Sequence, residues 1–404
     1  MRRRATWMVW LVVLALSGAA AAQTDAELTL QAELTKIVRD YEKASGATVG
    51  VCFRDSRSGE IIAGLKSSRT FTPASNLKLL TSAVALEELG KDFEFSTKVY
   101  LAGQDVIVVG DFDPTLGDAK LAEATKRTRY TRIDEWVTAA KAELDGESVN
   151  DIILVCPGTA ADWRNPNWKP KQFDFWYAAP AAALNFNDNC FDVTFKVVGG
   201  KATPIVTPES RFIEIKNTVR VEPRHQWGLR ATADLSSVTV FGKVKQTTTE
   251  PLSVAVGNPP MLLGRVLADR FAEQDVAMTG EIRVVAETGE LLDEAVEIAE
   301  TTTPLKHVLW RVNRHSLNMA AESLLLRTGD GTWAGSLETM SETLVEDFGL
   351  DADDITLQDG SGLAAGNKVT PGAMTDVLAQ TIRSDGGKFL AASLPKSGKS
   401  GKLV

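Results

Sequence analysis

One stretch limits what this chain can become. Residues 71–90 read Phe-Thr-Pro-Ala-Ser-Asn-Leu-Lys-Leu-Leu-Thr-Ser-Ala-Val-Ala-Leu-Glu-Glu-Leu-Gly. Turn and cap chemistry at Thr72 and Pro73 is followed by Leu79, Leu80, Ala83, Leu86 and Leu89 on or near one helical face. Gly90 is a natural C-terminal stop. Ser75 and Lys78 lie three apart in the first turn, so both side chains project to the same side. That spacing suits a serine nucleophile with a lysine as its proton acceptor. Serine needs a base within hydrogen-bond reach. A lysine serves only if desolvation or a neighbouring cation lowers its pKa. The helix N-terminus adds partial positive charge, which favours the neutral amine and a developing oxyanion. A capping serine beside a solvated lysine gives the same pattern. The pair gains meaning from the apolar run behind it and from a second motif downstream.

With 404 residues there is room for two or three domains and a sizeable core. The balance of 44% hydrophobic and 24% charged residues is that of a globular chain, not a disordered one. The N-terminus reads as a secretory leader, residues 1–22. Arg2, Arg3 and Arg4 form its basic region, Trp7 to Leu16 its apolar region, and Ala20-Ala21-Ala22 a small-residue cleavage site. Export to the periplasm is therefore expected. An uncleaved anchor is the alternative. The formal net charge of −9 becomes −12 without that leader, which carries three arginines and no acid. Such a balance argues against nucleic acid as a partner. Cys52, Cys156 and Cys190 allow at most one internal bridge, so no disulfide framework is expected, and buried structural thiols are favoured.

Residues 26–45 read as a helix, Thr48–Phe53 and Ile61–Gly64 as strands, and the Ser75 segment as the next helix. From about Phe93 the texture changes to short apolar strands, among them Val99–Leu101, Val106–Val109 and Ile152–Val155. A helix is expected from Arg132 to Leu144. An ordered, aromatic-packed loop is expected from Asp162 to Ala179, and a β-rich module from Phe191 to Val240. Helix returns at Pro260–Ala272, strand at Glu281–Val285, and helix again near Pro304. The implied division is 23–95, an inserted β-rich region 96–290, and 291–404.

Ser316-Leu317-Asn318 lies between two helical runs. A hydroxyl and an amide two apart on a loop can face one cleft. The hydroxyl can relay a proton to a leaving amine, and the amide can orient a substrate carbonyl and the lysine. A helix cap plus a buried amide is the plainer reading of that tripeptide alone. The chain has three histidines, His225, His307 and His315, and no Gly-x-Ser-x-Gly elbow, which weighs against a Ser-His-Asp hydrolase. His-Glu-x-x-His is absent. Gly398-Lys399-Ser400 lacks the glycine a phosphate loop needs, because position 393 is Ser393.

Ser-x-x-Lys followed by Ser-x-Asn in an exported chain is the pattern of active-site serine penicillin-recognising enzymes. The sequence resembles the class C low-molecular-mass penicillin-binding proteins, the D-alanyl-D-alanine carboxypeptidase/endopeptidase family, over most of its mature length. The resemblance rests on Pro73 to Thr81 and on Asn313 to Asn318 with Ala321-Glu322. It rests also on Gly110 to Leu116, on Tyr177 to Pro180 with Leu184 to Asn187, and on Asp359 to Leu363. It implies an α+β penicillin-recognising serine peptidase fold, β-lactamase/transpeptidase-like, with two nested β-rich domains between the motifs. The 241 positions from Ser75 to Ser316 leave room for them. It implies Ser75 as nucleophile, Lys78 as base, Ser316 as proton relay and Asn318 as substrate-positioning group. It implies peptidoglycan stem peptides ending in D-Ala-D-Ala as substrates, β-lactams as inhibitors, and no metal or organic cofactor.

One departure stands out. The family carries a third motif, Lys-Thr-Gly, on a strand lining the cleft. Here Lys396-Ser397-Gly398 and Lys399-Ser400-Gly401 mimic it, but only a few residues follow. Ala364-Ala365 also replaces a usual polar pair after the Gly362-Leu363 turn. The expectation is that segment 291–404 is truncated before the motif strand, giving a D,D-peptidase that is weak or inactive unless Lys396 or Lys399 fills the third role. The alternatives are an inactive peptidoglycan-binding or scaffold protein, and a β-lactamase- or esterase-like hydrolase on the same serine.

Overall fold

The computed structural model describes residues 24–398. The expected leader and the second Lys-Ser-Gly copy at Lys399 lie outside the described residues. Helix α1 (Asp25–Ser45) begins with a reciprocal cap. The Thr24 hydroxyl accepts from the Glu27 N–H, and the Glu27 carboxylate accepts from the Thr24 N–H at 2.7 Å. Leu34 and Val38 of α1 pack on Ala63 in the antiparallel hairpin β1 (Val51–Arg54) and β2 (Ile61–Leu65). Among the described residues no helix is long and apolar enough to cross a membrane.

The helix expected to start at the Ser75 turn starts later. Ala74–Asn76 forms a 3-10 turn, and α2 (Leu77–Glu88) begins behind it, without a side-chain cap. The one-faced pattern is also too narrow. Every residue from Leu77 to Leu86 except Leu79 is buried, including Lys78, Thr81 and Ser82. A helix buried on all sides is a core element. Small residues make this possible: Ser82, Ala83 and Ala85 leave space for close neighbours. The hydroxyls of Thr81 and Ser82 find partners in the Gly360 carbonyl and the Asn313 side chain.

From residue 94 the chain leaves this helical body. It forms β3 (Glu94–Ala102), β4 (Asp105–Val109), α3 (Ala119–Ala124), α4 (Thr131–Leu144) and β5 (Ile152–Val155). Then follow β6 (Cys190–Val198), β7 (Lys201–Thr207), β8 (Glu214–Val221), β9 (Gln226–Ala231), β10 (Ser237–Val244), β11 (Leu252–Ala255), α5 (Pro259–Glu273), β12 (Ile282–Val285) and β13 (Val296–Pro304). One mixed sheet has the order β12-β5-β4-β3-β13, and two three-stranded sheets have the orders β11-β6-β7 and β8-β10-β9. The parallel pairs β4-β5 and β5-β12 have the long connections that parallel pairing requires, the first through α3 and α4 and the second through both three-stranded sheets and α5. All three sheets contribute to one apolar core that includes Phe186, Phe195, Val240 and Phe271. Trp136 on α4 enters it and donates its indole N–H to Thr301 at 2.8 Å.

β3 and β13 pair antiparallel over their length, and the Leu305 N–H donates to the Phe93 carbonyl at 2.9 Å. The chain therefore leaves and re-enters the helical body side by side. We propose this pair as the boundary of the nested region, 94–304, which is wider than the expected 96–290. The return segment is α6 (Leu305–Arg314), α7 (Asn318–Thr328), α8 (Trp333–Glu346), β14 (Ile355–Thr356), β15 (Lys368–Val369), α9 (Pro371–Arg383) and α10 (Gly387–Ser393). Helices α6, α7, α8 and α9 all pack on α2. The class is α+β, as read from the sequence. Cys156 and Cys190 are buried thiols, with burial pushing Cys156 up to about 11, and Cys52 is half-buried beside the Thr375 hydroxyl.

Candidate active site

Ser75 is exposed in the 3-10 turn that precedes α2. Lys78, one turn on, is 1% exposed. Its Nζ lies 3.2 Å from Ser75 Oγ, 2.6 Å from Asn318 Oδ1 and 2.8 Å from the Ser361 carbonyl. Three segments far apart in sequence thus meet at one amine. Burial would make an unpartnered amine costly, and these three oxygens satisfy it. Asn318 is the first residue of α7, and its Nδ2 donates to the Tyr177 carbonyl at 2.7 Å. Ser316 sits two residues earlier in the link between α6 and α7, half-buried, with φ 55° in the left-handed region. A non-glycine residue held there costs about 1–3 kcal/mol and marks a constrained position. Ala74, directly before Ser75, has φ 48° and is held the same way.

The turn at residues 359–362 is the third wall, and it is fixed from every direction. Glu322 lies one helical turn after Asn318 on α7 and is fully buried. Its two oxygens accept the Gly360 N–H at 3.0 Å and the Ser361 N–H at 2.9 Å. Asp359 accepts the N–H groups of Gly362 at 2.7 Å and Ala364 at 2.6 Å, the Asn367 amide at 2.8 Å, and the Trp168 indole at 2.9 Å. The side chains of Asn165 and Asn167 donate to the Gln358 carbonyl. The aromatic loop expected at 162–179 therefore has a specific role: it braces this turn and supplies Tyr177 to Asn318. Ala364 is also explained. Its N–H serves Asp359, and its small side chain packs with Trp168 and Ala178.

Gly362, at φ 81°, meets the backbone of Ala74. A Cβ on it would lie 1.8 Å from the Ala74 carbonyl oxygen. Neither backbone can yield without moving Ser75. Gly362→Ala should therefore lower the rate of acylation by penicillin about 100-fold or more, the usual result of an ångström-scale misplacement. Stopped-flow acylation rates check this. An unchanged rate would mean that the turn does not fix Ser75.

Burial, reinforced by the charge of Asp359, pushes the Glu322 carboxyl up to about 8, against the two N–H bonds that favour its ionised form. From about 4.5, its ordinary value, to about 8 the folded chain holds a proton that the unfolded chain has released. The stability linked to that proton is complete below the lower value and is lost as pH rises through the window. Urea midpoints measured across it should fall with rising pH. Glu322→Gln should flatten that part of the slope, and identical slopes in both proteins would contradict the assignment.

The expected third motif is not on a strand among the described residues. Lys396 is exposed in the segment after α10, and Ser397-Gly398 form a turn. The preceding Leu394 carbonyl is held by Arg314. The sequence alone assigns no role to Glu322, Trp168 or Tyr177. For Glu322 the available signal was its place four residues after Asn318, on the same helix face. Among the described residues no group of three or more His, Cys, Asp or Glu is placed to hold a metal ion.

Known proteins resemble the chain over most of its length. The chain is 27% identical to a D-alanyl-D-alanine carboxypeptidase of Actinomadura sp. (strain R39), over all of this chain and 78% of that protein. It is 23% identical to the D-alanyl-D-alanine carboxypeptidase DacB of Haemophilus influenzae, over 89% of this chain and 76% of the relative. The crystal structure of penicillin binding protein 4 (dacB) from Haemophilus influenzae superposes with a TM-score of 0.73 at 21% identity, covering 91% of this chain and 82% of that one. That likeness shows a shared fold. The pattern of the D-Ala-D-Ala carboxypeptidase 3 (S13) family matches residues 30–404, and the chain belongs to that family of serine peptidases.

Proposed function

We propose that this chain is an exported, penicillin-binding serine D,D-peptidase that acts on peptidoglycan stem peptides ending in D-Ala-D-Ala. The observation that carries the reading is the convergence of Ser75, Asn318 and the Ser361 carbonyl on the buried amine of Lys78. Ser75 Oγ attacks the carbonyl of the terminal peptide bond, and Lys78 takes the hydroxyl proton. Ser316 passes a proton to the leaving amine as the C–N bond breaks and is refilled by the proton Lys78 took, freeing D-alanine and leaving an ester on Ser75 and Lys78 a neutral amine again. Water then attacks the ester and gives a proton to Lys78, which passes it to Ser75 Oγ as the ester C–O bond breaks. Asn318 orients the lysine and the substrate amide. A β-lactam follows the first half of this path, and its opened ring stays on the serine.

The leader supports periplasmic action, and carboxypeptidase and endopeptidase cleavage use the same steps. The exposed turn at Lys396–Gly398 favours a second, weaker reading: a chain that acylates but turns over slowly. The test is twofold, with fluorescent penicillin as the covalent label and D-alanine release from an acylated Lys-D-Ala-D-Ala peptide as turnover. Label with release supports the peptidase. Label without release supports the second reading. Absence of both rejects a catalytic role.

A further inference from the structure

Away from the serine, α3, the segment that follows it and α6 enclose a cavity of about 250 Å³. Arg127, Arg129 and Arg132 line it, with Thr125, Thr128 and His307. This is unexpected in a chain of net charge −9. The carboxylate on its wall, Asp118, is fully buried and engaged by Arg311 and the Leu121 N–H. Arg129 bonds Asn187 and reaches Asp192 at 3.4 Å. Arg132 donates to the neutral Thr302 carbonyl at 3.0 Å. The Asp113 carboxylate behind it is already occupied by Thr115 and Thr303. Arg127 is exposed at the mouth.

These cations repel one another. Burial holds Arg132 below its ordinary value, opposed by Asp113 and Glu135 and helped by the like charge of Arg127. Burial, Lys306 and Arg132 do the same to His307. A second cavity of about 540 Å³ adjoins, sharing Leu121, Thr125 and His307, and adds Lys306 and Lys388 beside Trp310 and Phe389. Guanidinium forks match phosphate oxygens, and a bound anion would relieve the mutual repulsion of these cations.

We propose that the cavity between α3 and α6 is an oxyanion site that takes a phosphate group, either free or as a lipid headgroup. The adjoining apolar cavity offers room for whatever the phosphate is attached to. The site is independent of Ser75, so penicillin labelling is unaffected by its loss.

The test titrates inorganic phosphate into the full chain by calorimetry at low ionic strength. Saturable binding is expected, weakened about tenfold by Arg132→Gln, the loss of one charge-assisted bond. Arg127→Glu weakens it as well. That residue is exposed, so its replacement leaves the fold intact even where Arg132→Gln does not. Vesicles of phosphatidylglycerol, compared with phosphatidylcholine, separate the sources. Binding to the former that inorganic phosphate competes away identifies a headgroup, and phosphate binding without vesicle binding identifies a soluble ligand. Lack of saturable binding in both arms, or equal affinity in Arg127→Glu and the parent chain, overturns the site.

Discussion

Ser75→Ala removes covalent labelling by penicillin altogether and lowers D-alanine release by about 10⁴-fold or more. Loss of a nucleophile that works as a unit with its base costs about 10⁶-fold in a well-studied serine hydrolase, and the remainder comes from substrate binding and oxyanion stabilisation. A weaker parent activity narrows the measurable range for turnover but not for labelling, which needs one event per molecule. The substitution should not disturb the fold. Ser75 is exposed, and its hydroxyl lies at 3.2 Å from Lys78, a long contact. Surface changes of this kind usually stay within about 0.5 kcal/mol. Mass spectrometry of the penicillin adduct locates the ester. An adduct that persists on the Ser75→Ala chain would move the nucleophile elsewhere and dismantle the proposed mechanism.

Lys78→Arg keeps the charge and lowers acylation by about 100- to 10,000-fold, the range for loss of a general base. A guanidinium does not give up its proton under these conditions. It is also larger than the amine it replaces, in a helix buried on all sides, and overpacking costs about 1–3 kcal/mol. A second variant therefore accompanies it. Lys78→Met nearly preserves volume and removes the donor, leaving Asn318 Oδ1 and the Ser361 carbonyl without it at about 1–3 kcal/mol each. Both variants are compared with the parent by acylation rate and urea midpoint. If either folded variant acylates at the parent rate, Lys78 is a structural lysine and the base lies elsewhere.

The parts of this site that were legible from sequence are those encoded locally. Ser75 and Lys78 are one turn apart, and Ser316 and Asn318 share one short link, so spacing alone places each pair. Two helices inside the nested region were legible to within one residue at their starts, expected at Arg132 and Pro260 and found at Thr131 and Pro259, whereas the short α3 was not. What escaped is set by contacts across hundreds of residues. The burial of α2 from Leu77 to Leu86 depends on four helices that follow much later. Glu322 reads as an ordinary helical carboxylate until Gly360 and Ser361 are laid against it. Gly362 reads as a generic turn glycine until the Ala74 carbonyl fills the place of its missing side chain. The aperiodic 162–179 loop has no pattern to read, because its asparagines and Trp168 answer to backbone groups of a distant turn.

The pairing of β3 with β13 has a kinetic consequence. Lys78 hydrogen-bonds to partners 240 and 283 positions away, so an unstructured chain must close a very long loop to assemble them. The length-dependent entropy of closing roughly 200 residues is about 4–5 kcal/mol. Once the nested body has folded, its first and last strands lie adjacent and deliver residues 93 and 305 to within one hydrogen bond of each other. The remaining search is then between neighbours. The excursion that separates the two motifs in sequence acts as a splint. The expected order is that the candidate site residues meet late, as a short-range event after a module that holds none of Ser75, Lys78, Ser316 or Asn318 has folded.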